Sequence, residues 1–244
     1  MSSQRLDEVL VARGLAQSRS RARDAILRGT ISVNGVPARK PSQGVFADDD
    51  IQTTDVAKRF VSRAALKLLH GLQHFNMSAK DRVALDLGAS TGGFTQVLLE
   101  SGATHVIAID VGHGQMVPHV ASDPRVTVFE GLNSRDVTDE EVPPTVSLIV
   151  ADVSFISLRL ALMPTLSLVA GGTELLVLLK PQFEVGRHFV GRGGIVSDPE
   201  QHERVCNEVS GFLDAQGWSV KGVTPSPMEG GDGNLEFLLA AVKR

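Results

Sequence analysis

The sequence predicts an α/β protein in which a doubly wound, mostly parallel sheet follows a small N-terminal α+β domain. Beyond about residue 60, short apolar strands alternate with helical segments, which is typical of a parallel sheet covered by helices on both faces. A glycine-rich segment follows the first of these strands and precedes a helix. The charge balance also changes near residue 67. Residues 1–67 contain 12 basic and 7 acidic side chains, whereas residues 68–244 contain 12 basic and 21 acidic ones.

Length and composition exclude several classes of protein. The chain has 244 residues, 42% apolar and 21% charged, which is a globular composition. The single Cys206 excludes a disulfide within the chain and a tetrathiolate zinc site, and the seven histidines lack paired-ligand spacing. We therefore predict no structural metal. The first residues lack the apolar core of a signal peptide, so we expect a cytoplasmic protein. The apolar stretch 160–179 is interrupted by a proline, a glycine pair and a glutamate, so we expect no membrane span.

The N-terminal domain is predicted to contain two short helices followed by a hairpin. The predicted elements are helices over residues 4–13 and 19–28, a strand over 31–33 and a further strand over 45–51 that is interrupted by Asp48-Asp49-Asp50. Ser18 is a suitable N-cap for the second helix, and Asn34-Gly35 is the strongest short signal for a hairpin turn. The arginines of the second helix lie outside its apolar face, so they can face solvent or bind a polyanion, whose phosphates favour lysine and arginine. We predict the RNA-binding residues to be Arg5, Arg19, Arg21, Arg23 and Arg28.

This N-terminal segment resembles the alpha-L RNA-binding motif of a ribosomal protein and of pseudouridine synthases. The matching residues are Arg5-Leu6-Asp7, Gly14, Ser18-Arg19-Ser20-Arg21-Ala22, Ile26, Gly29 and Val33-Asn34-Gly35. The resemblance implies an RNA-binding domain over residues 1–58 that recognises folded RNA by its shape and phosphates.

The remaining residues, 59–244, are predicted to form the α/β domain. The predicted helices cover residues 63–72, 94–99, 158–168 and 199–215, and the parallel strands cover 83–87, 106–109, 126–129, 146–150 and 175–179. The last helix has Asp198 as a cap and Pro199 in its first turn, where the missing N–H costs nothing. Strands over 218–223 and 235–242 are joined by a glycine-rich turn, which predicts an antiparallel hairpin that closes the sheet.

The glycine-rich segment over residues 85–94 predicts a ligand site at the carboxyl ends of the strands. It is neither a dinucleotide fingerprint, because Ser90 stands at the second glycine position, nor a phosphate-binding P-loop. Asp86 would repel a pyrophosphate but would suit a cationic amino-acid group. S-adenosylmethionine, with an ammonium and a sulfonium and no phosphate, fits this requirement.

Two further residues fit the nucleoside part of that cofactor. Asp110 ends the second strand of the sheet, where a carboxylate can accept hydrogen bonds from both ribose hydroxyls. Asn133, after the third strand, is placed to border the adenine. The predicted cofactor-binding residues are Asp86, Gly88, Ser90, Gly92, Gly93, Phe94, Asp110, Asn133 and Asp152.

Four polar residues are candidates for an acceptor site. Asp152 follows the fourth strand and Lys180 follows the fifth, so we expect both at the edge of the sheet that carries Asp86 and Asp110. Glu236 belongs to the closing hairpin, and Lys67 lies on the helix that enters the domain. The predicted catalytic residues are Lys67, Asp152, Lys180 and Glu236.

These residues carry the second resemblance. Their K-D-K-E order resembles that of the FtsJ-like RNA 2′-O-methyltransferases, which have a Rossmann-like methyltransferase fold. The flanking segments SRAALKL, LDLGASTGGFTQVLL, DVSFISL, LLVLLKPQFE and GGDGNLEFLL are similar to the TlyA family of haemolysin-like rRNA methyltransferases. The resemblance implies methyl transfer from S-adenosylmethionine to the ribose 2′-OH of a cytidine in ribosomal RNA, with rRNA or a ribosomal subunit as partner.

The chemistry of this reaction suits the four residue types. A ribose hydroxyl is a poor nucleophile at neutral pH, so the enzyme must remove its proton and place it in line with the methyl donor. A lysine acts as a base when burial or a neighbouring cation favours its neutral form. We therefore predict Lys180, beside Lys67, as the base, with Asp152 and Glu236 holding the two ammonium groups.

Other functions remain as alternatives. A non-catalytic rRNA-binding or assembly factor would keep the N-terminal domain without turnover, and a membrane-active haemolysin is suggested by the family's historical label. The glycine spacing disfavours a nicotinamide dehydrogenase. Amino-group methylation commonly uses an N/D-P-P-Y/F run, where this chain has Asp152-Val153-Ser154-Phe155. Methylation of a cytosine carbon needs a thiolate, and Cys206 lies on a helix away from the strand ends. No pattern in the sequence predicts an oligomeric state.

Overall fold

Residues 3–244 are described by a computed structural model of the chain. The chain divides into two units, Met1–Phe60 and Val61–Arg244. The domain boundary that the sequence predicts, after residue 58, stays a proposal.

The N-terminal unit contains two helices and short strands around a small apolar core. Its elements are β1 (Gln4–Arg5), α1 (Leu6–Ala12), α2 (Arg19–Leu27), β2 (Ile31–Val33), β3 (Val36–Pro37), β4 (Gly44–Val45) and β5 (Ile51–Thr53). Ser18 Oγ accepts a hydrogen bond from Arg21 N at 3.3 Å and so caps α2. Asn34 and Gly35 adopt φ values of 52° and 78° in the turn between β2 and β3, as a two-residue hairpin turn requires. The core residues include Leu6, Leu10, Ala22, Ile26 and Ile31.

The single strand predicted over residues 45–51 is wrong. Val45 lies in β4, which pairs with β1, whereas Ile51 lies in β5, which pairs with β2. The aspartates between them form a turn, because the Asp49 carboxylate accepts hydrogen bonds from Phe46 N and from Asn34 Nδ2, both at 2.8 Å. A short acidic side chain that bonds to nearby backbone favours such a turn over a continuous strand.

The C-terminal unit alternates strands and helices and ends in two consecutive strands. Its helices are α3 (Ala64–His74), α4 (Gly93–Glu100), α5 (Pro118–Ala121), α6 (Leu158–Leu168) and α7 (Pro199–Ala215). Its strands are β6 (Val83–Leu87), β7 (His105–Asp110), β8 (Val126–Glu130), β9 (Val146–Ala151), β10 (Glu174–Leu179), β11 (Trp218–Pro225) and β12 (Phe237–Lys243). The helices over 158–168 and 199–215 begin and end where the sequence predicts them.

The strands form one sheet in the order β11-β12-β10-β9-β6-β7-β8. Strands β6 to β10 run parallel, whereas β12 pairs antiparallel with both β10 and β11. The mostly parallel sheet with an antiparallel closing hairpin confirms the predicted fold class. The order also reverses between β9 and β6, and such a switch point is where open α/β sheets bind ligands.

Helices cover both faces of this sheet. Leu85 and Leu87 point into a core shared with α6 and α7. Side chains alternate along a strand, so Asp86 points to the other face, where it contacts Thr95 of α4. Both faces are therefore buried, which explains why the parallel strands read as continuous apolar runs. No helix within residues 3–244 is both long enough and apolar enough to cross a bilayer.

Candidate active site

Two buried lysine–carboxylate pairs bring the four predicted catalytic residues together. Lys67 Nζ, on α3, lies 2.5 Å from Glu236 Oε2, and Glu236 directly precedes β12. Lys180 Nζ, just after β10, lies 2.6 Å from Asp152 Oδ1, which follows β9. We call these four residues the tetrad. Lysine and glutamate are rarely this buried unless they are paired, so each carboxylate compensates the ammonium that it holds.

Lys67, Lys180 and Glu236 line a common cavity of about 480 Å³, which we call the tetrad cavity. Burial raises the pKa of the Glu236 carboxyl above its usual range, and the ammonium groups of Lys67 and Lys180 oppose this shift. The cavity wall also includes two aromatic rings, Phe155 and Phe183, whose centroids lie 5.4 Å apart. The cavity thus combines paired charges with an aromatic surface.

A second, larger cavity of about 630 Å³ opens at the carboxyl ends of the strands, and we call it the strand-end cavity. Its lining includes these predicted cofactor residues: Gly88, Ser90, Asp110, Asn133 and Asp152. A third cavity of about 170 Å³, the glycine-loop cavity, is lined by Gly93, Phe94, Asp152 and Lys180 among others. Asp152 lines both of these cavities and pairs with Lys180, so it connects them to the tetrad.

The glycine-rich loop needs Gly88 because two strand ends approach each other there. Gly88 has φ +80°, and a Cβ on it would lie 2.7 Å from the carbonyl oxygen of Asp152. The Asp152 N–H in turn donates a hydrogen bond to Leu87 O at 3.0 Å. A side chain at residue 88 would therefore both strain the backbone and push Asp152 away.

Asp110 is held rigidly at the end of β7. Its carboxylate accepts hydrogen bonds from Ser90 N at 2.8 Å and from Gly112 N at 2.7 Å. Gln115 lies beside it, where its side chain accepts a hydrogen bond from Ser90 Oγ at 3.0 Å. The carboxylate is thus oriented at the strand-end cavity, and each oxygen keeps lone pairs that can accept hydroxyl groups of a ligand.

Asp86 lies elsewhere than the other predicted cofactor residues. Its side chain is completely buried and lines none of the three cavities. Oδ2 accepts a hydrogen bond from Thr95 Oγ1 at 2.7 Å, whereas Oδ1 has no hydrogen-bond partner within residues 3–244. Burial raises the pKa of this carboxyl to about 7. Its position inside β6 could be predicted from the sequence, but its orientation toward α4 could not.

The remaining predicted cofactor residues shape the loop or border a cavity. Gly92 adopts φ +91° before α4 and lines none of the three cavities. A Cβ on Gly93 would lie 2.7 Å from the Cβ of Ser62, so this glycine allows a close approach of the chain. Phe94 borders the glycine-loop cavity. Asn133 Oδ1 accepts hydrogen bonds from the backbone and side chain of Arg135, which fixes its orientation at the strand-end cavity.

The five predicted RNA-binding arginines of the N-terminal unit differ in their contacts. Arg5 and Arg19 both bind the buried Asp7, and the hydrogen bond from Arg5 lowers the pKa of that carboxyl. Arg21 donates to Phe60 O at 2.8 Å, and Arg28 pairs with Asp55 at 2.7 Å. Arg23 is exposed.

Several residues of these sites were not predicted from the sequence. The N-terminal unit carries two further exposed basic side chains, Arg39 and Lys40. In the C-terminal unit, the residues that were not predicted are Ser154, Phe155, Gln115, Arg135 and Gln182, which line the cavities. Within the segment 152–155, the sequence predicts a role for Asp152 but none for Ser154 or Phe155. The position of this segment after β9 was nevertheless a signal, because this is where side chains reach the ligand edge of the sheet.

Two excluded chemistries can be compared with the structure. Cys206 is half-buried on α7, and burial raises the pKa of its thiol to about 11, so it is not a thiolate near neutral pH. No group of three or more histidine, cysteine or acidic side chains within the described residues could hold a metal ion. The absence of a metal stays a prediction.

The chain is similar to known methyltransferases over nearly its whole length. The family model for FtsJ-like methyltransferases matches residues 60–243, and the model for the S4 domain matches residues 4–51. The 16S/23S rRNA (cytidine-2′-O)-methyltransferase TlyA of Mycobacterium tuberculosis is 44% identical over 236 residues, which are 96% of this chain and 88% of that protein. Hemolysin A of Brachyspira hyodysenteriae is 40% identical over 240 residues, covering 96% of this chain and 98% of that protein.

Solved structures agree with these matches. A Streptococcus thermophilus protein provisionally described as a hemolysin has a TM-score of 0.76 at 38% identity and covers 100% of this chain and 89% of that one. A Listeria monocytogenes structure described as an S-adenosylmethionine-dependent methyltransferase has a TM-score of 0.56 at 16% identity over 75% of this chain and 100% of that one, which shows a shared fold. The chain belongs to the FtsJ-like methyltransferases, and within them to the TlyA family.

Proposed function

We propose that the protein transfers a methyl group from S-adenosylmethionine to the 2′-hydroxyl of a cytidine ribose in ribosomal RNA. The observation that carries this proposal is the tetrad: two lysine–carboxylate pairs beside one cavity, joined through Asp152 to the strand-end cavity. The name of the relative that is 44% identical supports rRNA as the substrate and cytidine as the nucleoside.

The strand-end and glycine-loop cavities fit the proposed cofactor. Gly88 lines both cavities without a side chain, and Asp110 presents a carboxylate suited to ribose hydroxyls. Asp152, paired with Lys180, places a carboxylate at both cavities. Asp86 keeps one buried oxygen without a partner among the described residues. When bound, S-adenosylmethionine supplies an electrophilic methyl group that needs no further activation.

The chain then has to bind, orient and deprotonate the acceptor. Lys180, in its uncharged amine form, is proposed to hold the 2′-hydroxyl and to accept its proton, because it lies at the border between the glycine-loop cavity and the tetrad cavity. Lys67 and Glu236 line the same tetrad cavity. The positive charge of Lys67 would favour the neutral form of Lys180. The exposed ring of Phe155 offers a surface against which a base can stack.

The N-terminal unit is proposed to bind the same RNA, since it matches the S4 domain and carries exposed basic side chains. A large folded RNA, either as naked rRNA or in a ribosomal subunit, suits this unit better than a short oligonucleotide. Its arginines would contribute affinity through phosphate contacts, whereas the tetrad cavity would select the nucleotide.

The direct test maps ribose methylation by mass spectrometry in rRNA from cells that contain or lack the protein. We expect one or a few cytidines to lose 2′-O-methylation in its absence and to regain it when purified protein and S-adenosylmethionine are added to that rRNA or to its subunits. Identical methylation maps would refute the proposal. Cofactor binding with no turnover on any rRNA would instead favour a non-catalytic assembly factor.

The hemolysin name of the relative that is 40% identical keeps membrane lysis as a second candidate function. Detergent-free protein added to erythrocytes tests this function separately. We expect no release of haemoglobin, and release that persists after the Lys180→Ala substitution would establish lysis as an independent activity.

A further inference from the structure

The hydroxyl of Ser154 accepts a hydrogen bond from the Lys180 ammonium group, which also forms an ion pair with Asp152. Lys180 Nζ donates to Ser154 Oγ at 2.8 Å, and the same nitrogen lies 2.6 Å from Asp152 Oδ1. Asp152 and Ser154 stand two residues apart on the short segment between β9 and α6. This segment therefore contacts the lysine at two points.

Ser154 also occupies a special position among the cavities. It lines the strand-end cavity, the glycine-loop cavity and the tetrad cavity. Lys180 lines the latter two. The hydrogen bond between them thus lies where the proposed methyl donor and the proposed acceptor meet.

A second contact matters because of the geometry of lysine. Its ammonium group is carried on four flexible carbons and bears three donors. A carboxylate on one side attracts the charge but leaves the nitrogen free to turn about that contact. The Ser154 oxygen accepts one N–H of Lys180 and so fixes the direction of the amine, whose lone pair in the neutral form can then point into the cavity that Lys180 lines.

We propose that Ser154 is a positioning residue, which through its hydroxyl fixes Lys180 Nζ in line with the acceptor oxygen. This role rests on the proposed methyl transfer. Within residues 3–244, Lys180 is the one hydrogen-bond partner of the Ser154 side chain, and Ser154 is exposed and outside the core. Removing its hydroxyl should therefore affect the placement of Lys180 and not the fold.

The test compares Ser154→Ala, Ser154→Thr and the matched control Ser167→Ala. Ser167 is an exposed serine of α6 whose hydroxyl bonds to Pro164 O within its own helix. Single-turnover methyl transfer to rRNA, cofactor affinity by calorimetry and thermal unfolding are measured for each variant.

We expect S154A to lower the rate of the chemical step on the order of 10-fold, because small misplacements of reacting groups are costly. Cofactor affinity should stay within about 2-fold, and the melting temperature within about 2 °C, of wild type. S154T, which keeps the hydroxyl, should recover most of the rate, and S167A should match wild type.

A second readout does not depend on turnover. Reductive methylation by formaldehyde, followed by mass spectrometry, reports how accessible each lysine is. We expect S154A to increase labelling of Lys180 at least 2-fold relative to Lys221, which pairs with Glu174 in another part of the sheet.

Four outcomes would overturn the role of Ser154. They are an unchanged rate in S154A, a loss of rate matched by an equal loss of cofactor affinity, a failure of S154T to recover activity, and unchanged labelling of Lys180. Absence of transfer by the wild-type protein would overturn the proposed function itself, and the role with it. The wild-type reaction therefore separates failure of the function from failure of the inference.

Discussion

Single side chains of the tetrad carry the largest expected effects on catalysis. Lys180 and Lys67 are each neutralised by one carboxylate, at 2.6 and 2.5 Å. These pairs are almost fully buried, so removing one partner leaves an uncompensated charge. Substitutions must therefore be chosen to separate loss of chemistry from loss of stability.

Replacing Lys180 tests whether it acts as a base. We expect Lys180→Ala to lower the rate of methyl transfer by about 10²–10⁴-fold, the usual contribution of a general base. Lys180→Arg should be equally inactive, because a guanidinium keeps the positive charge but does not give up its proton. Cofactor affinity measured by calorimetry should change only a few-fold in both variants. Near-normal turnover by the arginine variant would show that Lys180 acts by charge alone.

Asp86 predicts an unusual pH dependence of stability. Its pKa is raised to about 7 by burial, above the value for an unfolded chain. The folded state then holds a proton that the unfolded state loses between pH 4 and 7, so the free energy of unfolding should fall as pH rises through this range and level off above it.

The Asp86→Asn variant lacks this titration and provides the comparison. Relative to it, wild type should lose roughly 4 kcal/mol of stability between pH 4 and pH 8, measured by urea unfolding at several pH values. The control Asp214→Asn removes an exposed surface carboxylate and should leave the pH dependence of wild type unchanged. Parallel curves for wild type and Asp86→Asn would contradict the buried protonated carboxyl.

At the scale of elements, the loops at the carboxyl ends of β6, β9 and β10 depend on one another. The loop after β6 approaches the backbone of Asp152, and Asp152 and Ser154 hold Lys180. Four residues after Lys180, Glu184 accepts hydrogen bonds from Ser157 Oγ at 2.8 Å and from Leu158 N at 2.5 Å. Glu184 therefore caps the N-terminus of α6 from the loop after β10. The loops after β9 and β10 are thus joined by the contacts of Lys180 and also by those of Glu184.

A methyl group on Gly88 should disturb this arrangement specifically. Gly88→Ala places a Cβ 2.7 Å from Asp152 O and adopts an unfavourable positive φ. Gly172→Ala is the matched control, since Gly172 has φ +84° but nothing within 4 Å of its added Cβ.

Both glycine variants should lose about 1–2 kcal/mol from the backbone conformation alone, measured by denaturant unfolding. Gly88→Ala should in addition weaken cofactor binding and lower methyl transfer at least about 10-fold, because Asp152 is displaced. Equal activity of the two variants would show that the close approach is not needed for function.

The sequence was sufficient to predict elements whose pattern is local. The Asn34-Gly35 turn, the buried strands and the helices over 158–168 and 199–215 all follow from short-range signals. The segment 45–51 was predicted wrongly, since its two halves pair with different strands and such pairing is not visible locally. The position of Asp86 on β6 was predicted, but its orientation toward Thr95 was not. A strand that is buried on both faces has no polar–apolar alternation to indicate which face holds the ligand.

The tetrad shows the same limit. Asp152 and Lys180 follow parallel strands, so their position at one edge could be deduced from topology. The approach of Lys67 and Glu236 depends on how α3 and β12 pack, which the sequence suggests only through the family resemblance. Ser154 and Phe155 were not predicted, because neither residue type indicates a function by itself. Their roles become visible only from their position in the loop after β9.

At the scale of the whole molecule, opposite charge in two parts of the chain predicts a salt-dependent interaction with RNA. Of the five predicted arginines, Arg5, Arg19 and Arg23 are exposed, but Arg5 and Arg19 also bind Asp7. Arg21 contacts Phe60 O and Arg28 binds Asp55. Phosphate contacts should therefore come chiefly from Arg23 and from the exposed Arg39 and Lys40.

Arg23→Ala should weaken rRNA binding and reduce the slope of log affinity against log salt by roughly 1. The triple variant with alanine at Arg19, Arg21 and Arg23 should reduce it further. Filter binding at several salt concentrations measures the slope, and Lys80→Ala, an exposed cation of the other unit, serves as the comparison. A slope unaffected by the triple variant would show that the N-terminal unit does not anchor the RNA.

The sheet places β12 between β10 and β11, although β12 is the last strand in the chain. Glu236, at its start, is also the last tetrad member to leave the ribosome during synthesis. The parallel strands and three of the four tetrad residues can be made before it, but Lys67 then lacks its counter-ion. A chain that stops before Glu236 should consequently be unable to modify RNA, so catalytic competence depends on a strand that inserts between two others after the parallel strands have been made.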